Sequence, residues 1–232
     1  MLSRNKTIRL LSILSAVLIA AAFLMAMFYA PVEINMGMVQ KVFYFHVSSA
    51  WVGMLAFLVA AVSGVQYLRT RNRKHDTLGA SSVEIGLLFS AIANFTGMIW
   101  ARPIWNTWWT WDPRLTTMTI MAFTYIAYLL LRRGMEDPAR RAQFSATYAI
   151  IGFASVPLTF FSSRLLRSIH PTVFGASADM NMTPEMLVTM FAAIIAFTVL
   201  YFALLLQRDQ LMREQDELAE AEAIAEQEEL EA

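Results

Sequence analysis

The sequence contains no cysteine. That absence excludes disulfides, thiolate metal ligands and covalent C-x-x-C-H cofactor attachment. Charge is also scarce, since Asp, Glu, Lys and Arg make up 16% of the 232 residues while 57% are hydrophobic. A soluble domain is about a quarter charged and about half apolar, so an ordinary soluble globule is excluded. The 18 basic and 18 acidic residues cancel and assign no class of partner. There is no internal repeat, no phosphate loop and no nucleotide motif, so the chain is not itself an ATPase and nothing in it points to nucleic acid. No hydrolytic or redox catalytic motif occurs either, and a non-enzymatic role is expected.

What the sequence has in abundance is long apolar runs. A spanning helix needs roughly 20 apolar residues at ~1.5 Å rise each. Six runs approach or exceed that length: Leu10–Ala30, Tyr44–Leu68, Val83–Trp100, Leu115–Leu131, Phe144–Leu165 and Glu185–Leu206. The first is too long for a signal-peptide core and lacks an A-x-A cleavage site, so it reads as an uncleaved span. The predicted fold class is an all-α polytopic membrane protein of six transmembrane helices. Residues 1–206 form the membrane domain and 207–232 a separate acidic tail. Helix starts are written as caps. Ser81-x-x-Glu84 fits a capping box, and Asp112-Pro113, Asp137-Pro138 and Thr183-Pro184 each place a capping side chain before a proline at the first helical position.

Basic residues give an orientation. Thirteen of the 18 Lys and Arg fall on the side that holds both termini, and five (Lys41, Arg102, Arg114, Arg164, Arg167) on the other. The positive-inside rule then puts both termini in the cytoplasm. Three outer segments follow: Pro31–Phe43, Ala101–Arg114 and Leu166–Thr183. The tail carries ten of the 18 acidic residues. Leu211, Leu218 and Ile224 mark a weak helical stripe in it, read either as a short partner-binding helix or as a solvated, fraying one.

The chemistry concentrates on the outer side. Five of the six tryptophans lie within Trp100–Trp111. An interfacial aromatic belt would spread its aromatics over both membrane faces, whereas these crowd one loop. Flat indoles, each with one N–H donor, suit a large flat apolar ligand with a polar edge. Arg102 and Arg114 flank the run and offer clamps for anionic groups. A porphyrin with two propionates fits, as do a quinone and a lipid headgroup. His46 lies about one turn inside the second span, where an ionisable side chain is costly and tends to be functional. Ser49, Ala50 and Gly53 follow on its face and leave room beside the imidazole, although the same stripe also suits plain helix packing. His170 stands in the third outer segment, and two neutral imidazoles can ligate one haem iron from opposite faces. Zinc fits less well, for want of further ligands. His75, in an inner basic run, reads as solvated.

The stretch Trp100-Ala-Arg-Pro-Ile-Trp-Asn-Thr-Trp-Trp-Thr-Trp-Asp-Pro-Arg-Leu-Thr116 resembles the tryptophan-rich WWD signature of haem-handling membrane proteins. Length, six spans, one WWD loop (about 100–116) and one outer histidine on each side of it resemble the CcmC family of the cytochrome c maturation system. That resemblance implies a site for haem b, held non-covalently and transiently. Trp105, Trp108, Trp109, Trp111, Asp112 and Arg114 are the contacts it implies, with His46 and His170 as axial ligands, and Arg102, flanking the run, is expected to join them. It further implies an inner-membrane protein with a periplasmic loop, surrounded by membrane lipid, that delivers haem to the chaperone CcmE. The implied partners are the ABC transporter subunits CcmA and CcmB and the single-span subunit CcmD. The chain departs from the family pattern at Arg164-Leu165-Leu166, where relatives often have tryptophan, and at Val47-Ser48-Ser49, where they often have proline. Two other readings compete: a permease that moves haem across the bilayer, and a quinol-oxidising membrane cytochrome. The second would need another histidine pair in the inner half.

Overall fold

The computed structural model describes residues 2–171 and 182–231. Seven α-helices are named in chain order: α1 (Leu2–Leu24), α2 (Gln40–Thr70), α3 (Arg73–Trp105), α4 (Pro113–Arg133), α5 (Pro138–Gly152), α6 (Ser155–Leu165) and α7 (Pro184–Glu231). A π-helical turn, Met25–Tyr29, closes α1. No strand occurs among the described residues. Because α5 and α6 run on as one crossing, six segments are long and apolar enough to span a membrane. The chain is thus an all-α, six-span membrane protein.

The connections gather at two ends. The tryptophan end carries the starts of α2, α4 and α7 and the close of α1, α3 and α6. The arginine end carries the N-terminus, the α2–α3 and α4–α5 turns and the extension of α7. Between them α2 is central, packing on α3, α5 and α7, while α1 lies outermost against α7. Buried clusters fill the seams: Phe57, Val83, Met121 and Tyr125 between α2, α3 and α4, and Val52, Phe89, Tyr201 and Leu205 between α2, α3 and α7. Apolar packing does not orient helices in lipid, where small and polar side chains do more of that work. Here the Ser82 hydroxyl lies 2.7 Å from both the Ala56 carbonyl and the Tyr201 hydroxyl, tying three helices in mid-span.

The helix starts obey local chemistry. Asp112 Oδ1 accepts from the Arg114 amide at 2.9 Å, Asp137 Oδ1 from Ala139 at 2.8 Å, and Thr183 Oγ1 from Met186 at 3.4 Å. Each such cap is worth about 0.5–2 kcal/mol. The Ser81–Glu84 capping box is not a helix start. Helix α3 begins ten residues earlier than its apolar run, with Asn72 as cap and its side chain accepting from Lys74 at 3.0 Å. Ser81 is buried in the helix interior and Glu84 pairs with Arg208 of α7.

The fifth crossing is broken, and Pro157 is the reason. With no N–H, it cannot bond the Phe153 carbonyl four residues back. That carbonyl instead accepts from Val156 at 3.0 Å, and the helix restarts at Ser155. The sixth crossing does the reverse: α7 continues through the 206/207 boundary to Glu231 without interruption. Arginine-end ion pairs hold the turns just past that boundary. Buried Asp209 receives Arg4 at 2.6 Å, Arg213 at 2.7 Å and the Thr77 hydroxyl at 2.8 Å. Leu211, Leu218 and Ile224 are exposed beyond it.

Candidate functional site

His46 sits in the second turn of α2, half-buried, with its imidazole turned to α3. Its Nδ1 lies 2.9 Å from the Ala93 carbonyl and 3.3 Å from Thr96 Oγ1. A carbonyl only accepts, so Nδ1 carries the proton and Nε2 keeps its lone pair for a ligand. Helix α3 comes this close because residue 97 is glycine: a Cβ there would lie 3.0 Å from His46 Cε1. The small residues following His46 divide their roles. Ala50 lines cavities beside the imidazole, whereas Gly53 faces α3, where a Cβ would meet Ser90 Oγ at 2.8 Å.

His170 follows α6, and its Nδ1 lies 3.0 Å from the Pro171 carbonyl. The same reasoning leaves its Nε2 as the acceptor. Burial first, then the Arg114 guanidinium and the His46 ring, push the His170 imidazole from the ordinary 6.5 down to about 4. It is therefore neutral at physiological pH and able to bind a metal without first losing a proton. Of the third outer segment, Leu166–Thr183, residues 172–181 lie outside the described residues.

Asp112 is buried and has several partners besides its capping bond to Arg114. Oδ1 also accepts from the Ser168 hydroxyl at 2.8 Å, and Oδ2 from the Ile169 amide at 2.8 Å. Ser168 Oγ in turn accepts from the His170 amide at 3.0 Å. The aspartate of the tryptophan-rich loop thus ties the start of α4 to the backbone that carries His170. Arg114 is half-buried beside it, its Nη1 donating to the Thr159 and Phe160 carbonyls at 3.0 and 2.8 Å.

Two cavities meet at this point. The larger, about 410 Å³, runs along α2 from Phe43 to Met54 and is lined by His46, Arg114, Arg164 and His170. The smaller, about 60 Å³, is lined by Trp105, Trp108 and Trp109 on its far side. His46, Ala50, Trp100, Arg114 and His170 border both. The indoles are not a flat platform. Trp105 stands edge-on to Trp100 (5.3 Å, 89°) and to His170 (6.3 Å, 64°), and Trp109 edge-on to Trp111 (5.8 Å, 84°). Trp111 is 75% exposed and lines neither cavity. Nor does Arg102, which bonds the Asn106 carbonyl and side chain at the close of α3 and lies over Trp108 at 6.0 Å.

The structure therefore brings together His46, His170, Arg114, Trp105, Trp108 and Trp109, keeps Asp112 behind them, and leaves Arg102 and Trp111 at the periphery. It adds Gly97 and Arg164, which residue type alone did not place there, and Trp100, which belongs to the tryptophan cluster but was not among the expected contacts. Gly97 lies 51 residues from His46 in the chain, and only the α2–α3 register reveals their contact. The donor set suits a ligand that needs two neutral imidazoles. Among the described residues no group of three or more His, Asp or Glu is placed to hold a bare metal ion.

Comparison with known proteins gives a consistent picture. The sequence profile of the family described as CcmC, Heme exporter protein C, matches residues 1–224. The chain is 29% identical over 187 residues to Heme exporter protein C of Bradyrhizobium diazoefficiens, covering 79% of this chain and 71% of that protein. It is 29% identical over 192 residues to a putative cytochrome c biosynthesis ccmC-like mitochondrial protein of Marchantia polymorpha, covering 81% of each. Heme exporter protein C of Escherichia coli (strain K12) is 26% identical over 198 residues, covering 85% of this chain and 80% of that protein.

Proposed function

Because this chain belongs to the haem exporter protein C family, with a role in haem handling for cytochrome c biogenesis, we propose that it binds haem b non-covalently through His46 and His170 and passes it to the chaperone CcmE. One observation carries this reading. Two histidines from distant parts of the chain border the same pair of cavities, each with Nδ1 committed to a carbonyl. Hydrogen bonds from the far ring nitrogen to a carbonyl fix the tautomer and orientation of a ligating imidazole.

Each side chain has a task. Ala93 and Gly97 seat the His46 ring. Asp112 positions His170 through Ser168 and the Ile169 amide. Arg114 faces an anionic edge of the ligand, and Trp100, Trp105, Trp108 and Trp109 supply apolar wall and N–H donors. Bound haem would be held through the two Nε2 atoms, and its iron would supply the coordination chemistry. Release would require one imidazole to leave, and His170 would be the one to go, because it stands in a connection after α6 and not in a helix interior.

In the cell the tryptophan end faces the periplasm of the inner membrane, and both termini and the 207–232 tail face the cytoplasm. The transporter subunits CcmA and CcmB and the small subunit CcmD complete the assembly. The quinol-oxidising alternative lacks a second histidine pair, because the remaining histidine, His75, stands alone at the arginine end. The test is the absorption spectrum of protein purified from haem-replete cells, followed by mixing with apo-CcmE. A single low-spin b-type spectrum that transfers to the chaperone is expected. Purification without any haem band, or with two haems per chain, contradicts the proposal.

A further inference from the structure

The larger cavity holds two cations, and only one of them was expected. Arg114 and Arg164 both line it, together with both histidines, and among the described residues no carboxylate does. The two guanidiniums flank a single ring, with Arg114 Cζ 5.9 Å and Arg164 Cζ 5.1 Å from the centroid of Phe160. Their settings differ. Arg114 is half-buried and has Nη1 bonded to two α6 carbonyls. Arg164 belongs to the last turn of α6 and is exposed at the cavity mouth. Two guanidiniums beside one apolar ring give this side of the cavity two like charges and several N–H donors. Two carboxylates on one edge of a flat apolar ligand would complement that pair. Each would gain a charge-assisted bond, one from Arg164 at the rim and one from Arg114 behind it.

We propose that Arg164 is the second anion clamp of this site, and that with Arg114 it selects a porphyrin carrying free carboxylates over an esterified one. The proposal rests on the haem-binding reading above. It takes the place of a clamp by Arg102, whose guanidinium is engaged with Asn106 outside both cavities.

The test titrates the full-length apoprotein in nanodiscs with iron protoporphyrin IX and, in parallel, with its dimethyl ester. Four proteins are compared: wild type, Arg164→Gln, Arg164→Lys and, as a control three residues on, past the end of α6 and outside the cavities, Arg167→Gln. Loss of a charged hydrogen bond should weaken binding of the free acid by roughly tenfold or more in Arg164→Gln. Binding of the diester should be unchanged, so the preference for the free acid shrinks. Arg164→Lys should restore part of that preference, and Arg167→Gln should match wild type. Equal weakening of both ligands, or none, in Arg164→Gln would overturn the clamp while leaving haem binding intact. A wild-type protein that gives no low-spin spectrum with either porphyrin would overturn the haem-binding reading, and the clamp with it.

Discussion

The two ends of this molecule treat charge in opposite ways. At the arginine end, acids and bases satisfy each other. Arg132 grips Asp76 with two bonds of 2.6 and 2.8 Å, Arg208 meets Glu84, Arg141 and Arg73 meet Asp216, and Asp209 holds Arg4 and Arg213. At the tryptophan end, charged groups are spent on backbone. Buried Lys41 donates to the carbonyls of Ala26, Met27 and Ala30 at 2.7, 3.0 and 3.2 Å, closing the π-helical turn of α1. Asp112 takes amides and a hydroxyl, and Arg114 takes carbonyls. A closed network of ion pairs builds a frame. A set of residues fixed through the backbone leaves the side chains of His46, His170 and Arg114 lining the cavities.

The largest effect expected from this contrast is at the frame. Asp76→Ala leaves the Arg132 guanidinium buried without its partner, which costs about 3–5 kcal/mol. Thermal unfolding should drop sharply while the haem spectrum per folded molecule stays as in wild type. A normal melting curve with an altered spectrum would erase the division between the ends.

Asp112→Ala should do the opposite. Losing the cap costs about 0.5–2 kcal/mol, but the main readout is spectroscopic. His170 loses its backbone tether, so low-spin six-coordinate haem should give way to a five-coordinate form that added imidazole restores. Asp112→Asn, which still offers one carbonyl oxygen, should fall between. If the spectrum is unchanged while stability falls, Asp112 is a cap and nothing more.

Smaller effects belong to the aromatics. Edge-on aromatic contacts contribute about 0.5–1.5 kcal/mol beyond area burial. Trp105→Ala, which strips the ring beside His170, should weaken haem retention by up to about tenfold. Trp111→Ala should do least, since that ring lies outside both cavities. An equal loss at both positions would restore the picture of a shared flat platform.

The smallest effect is a lack of one. The His170 pKa lies below its ordinary value, so the unfolded chain takes up the proton first and acid disfavours the folded protein. In the folded protein His170 stays neutral until the pH approaches about 4. Coordination by His170 should therefore be flat from about pH 7.5 to about pH 5.5. Loss of the low-spin bands with a midpoint near the ordinary histidine value would mean that the ring is solvated.

Much of this was legible in the chain. Hydropathy placed six crossings, and three caps fell where an acid or threonine precedes proline. Hydropathy failed where polar residues are buried by their neighbours. The first turns of α3 carry Asp76, Thr77, Ser81 and Ser82, all buried against other helices, so no apolar run announces the helix. The break in the fifth crossing was written in Pro157, but a span long enough to cross the membrane hid it. At the candidate site, residue type singled out His46, His170 and the tryptophans. It could not reveal that Asp112 serves His170, that Gly97 admits the imidazole, or that Arg164 and not Arg102 reaches the cavity. Those facts depend on which helices meet.

The most direct test of the account is the double variant His46→Gly, His170→Gly, reconstituted with haem and then given imidazole. Loss of the low-spin bis-histidine spectrum and of delivery to the chaperone is expected, with the spectrum at least partly restored as imidazole fills the two vacated positions. The single His170→Gly variant should be rescued more readily than His46→Gly, whose ring is enclosed by α3. Low-spin bands that persist unchanged in the double variant would show that neither histidine binds the iron.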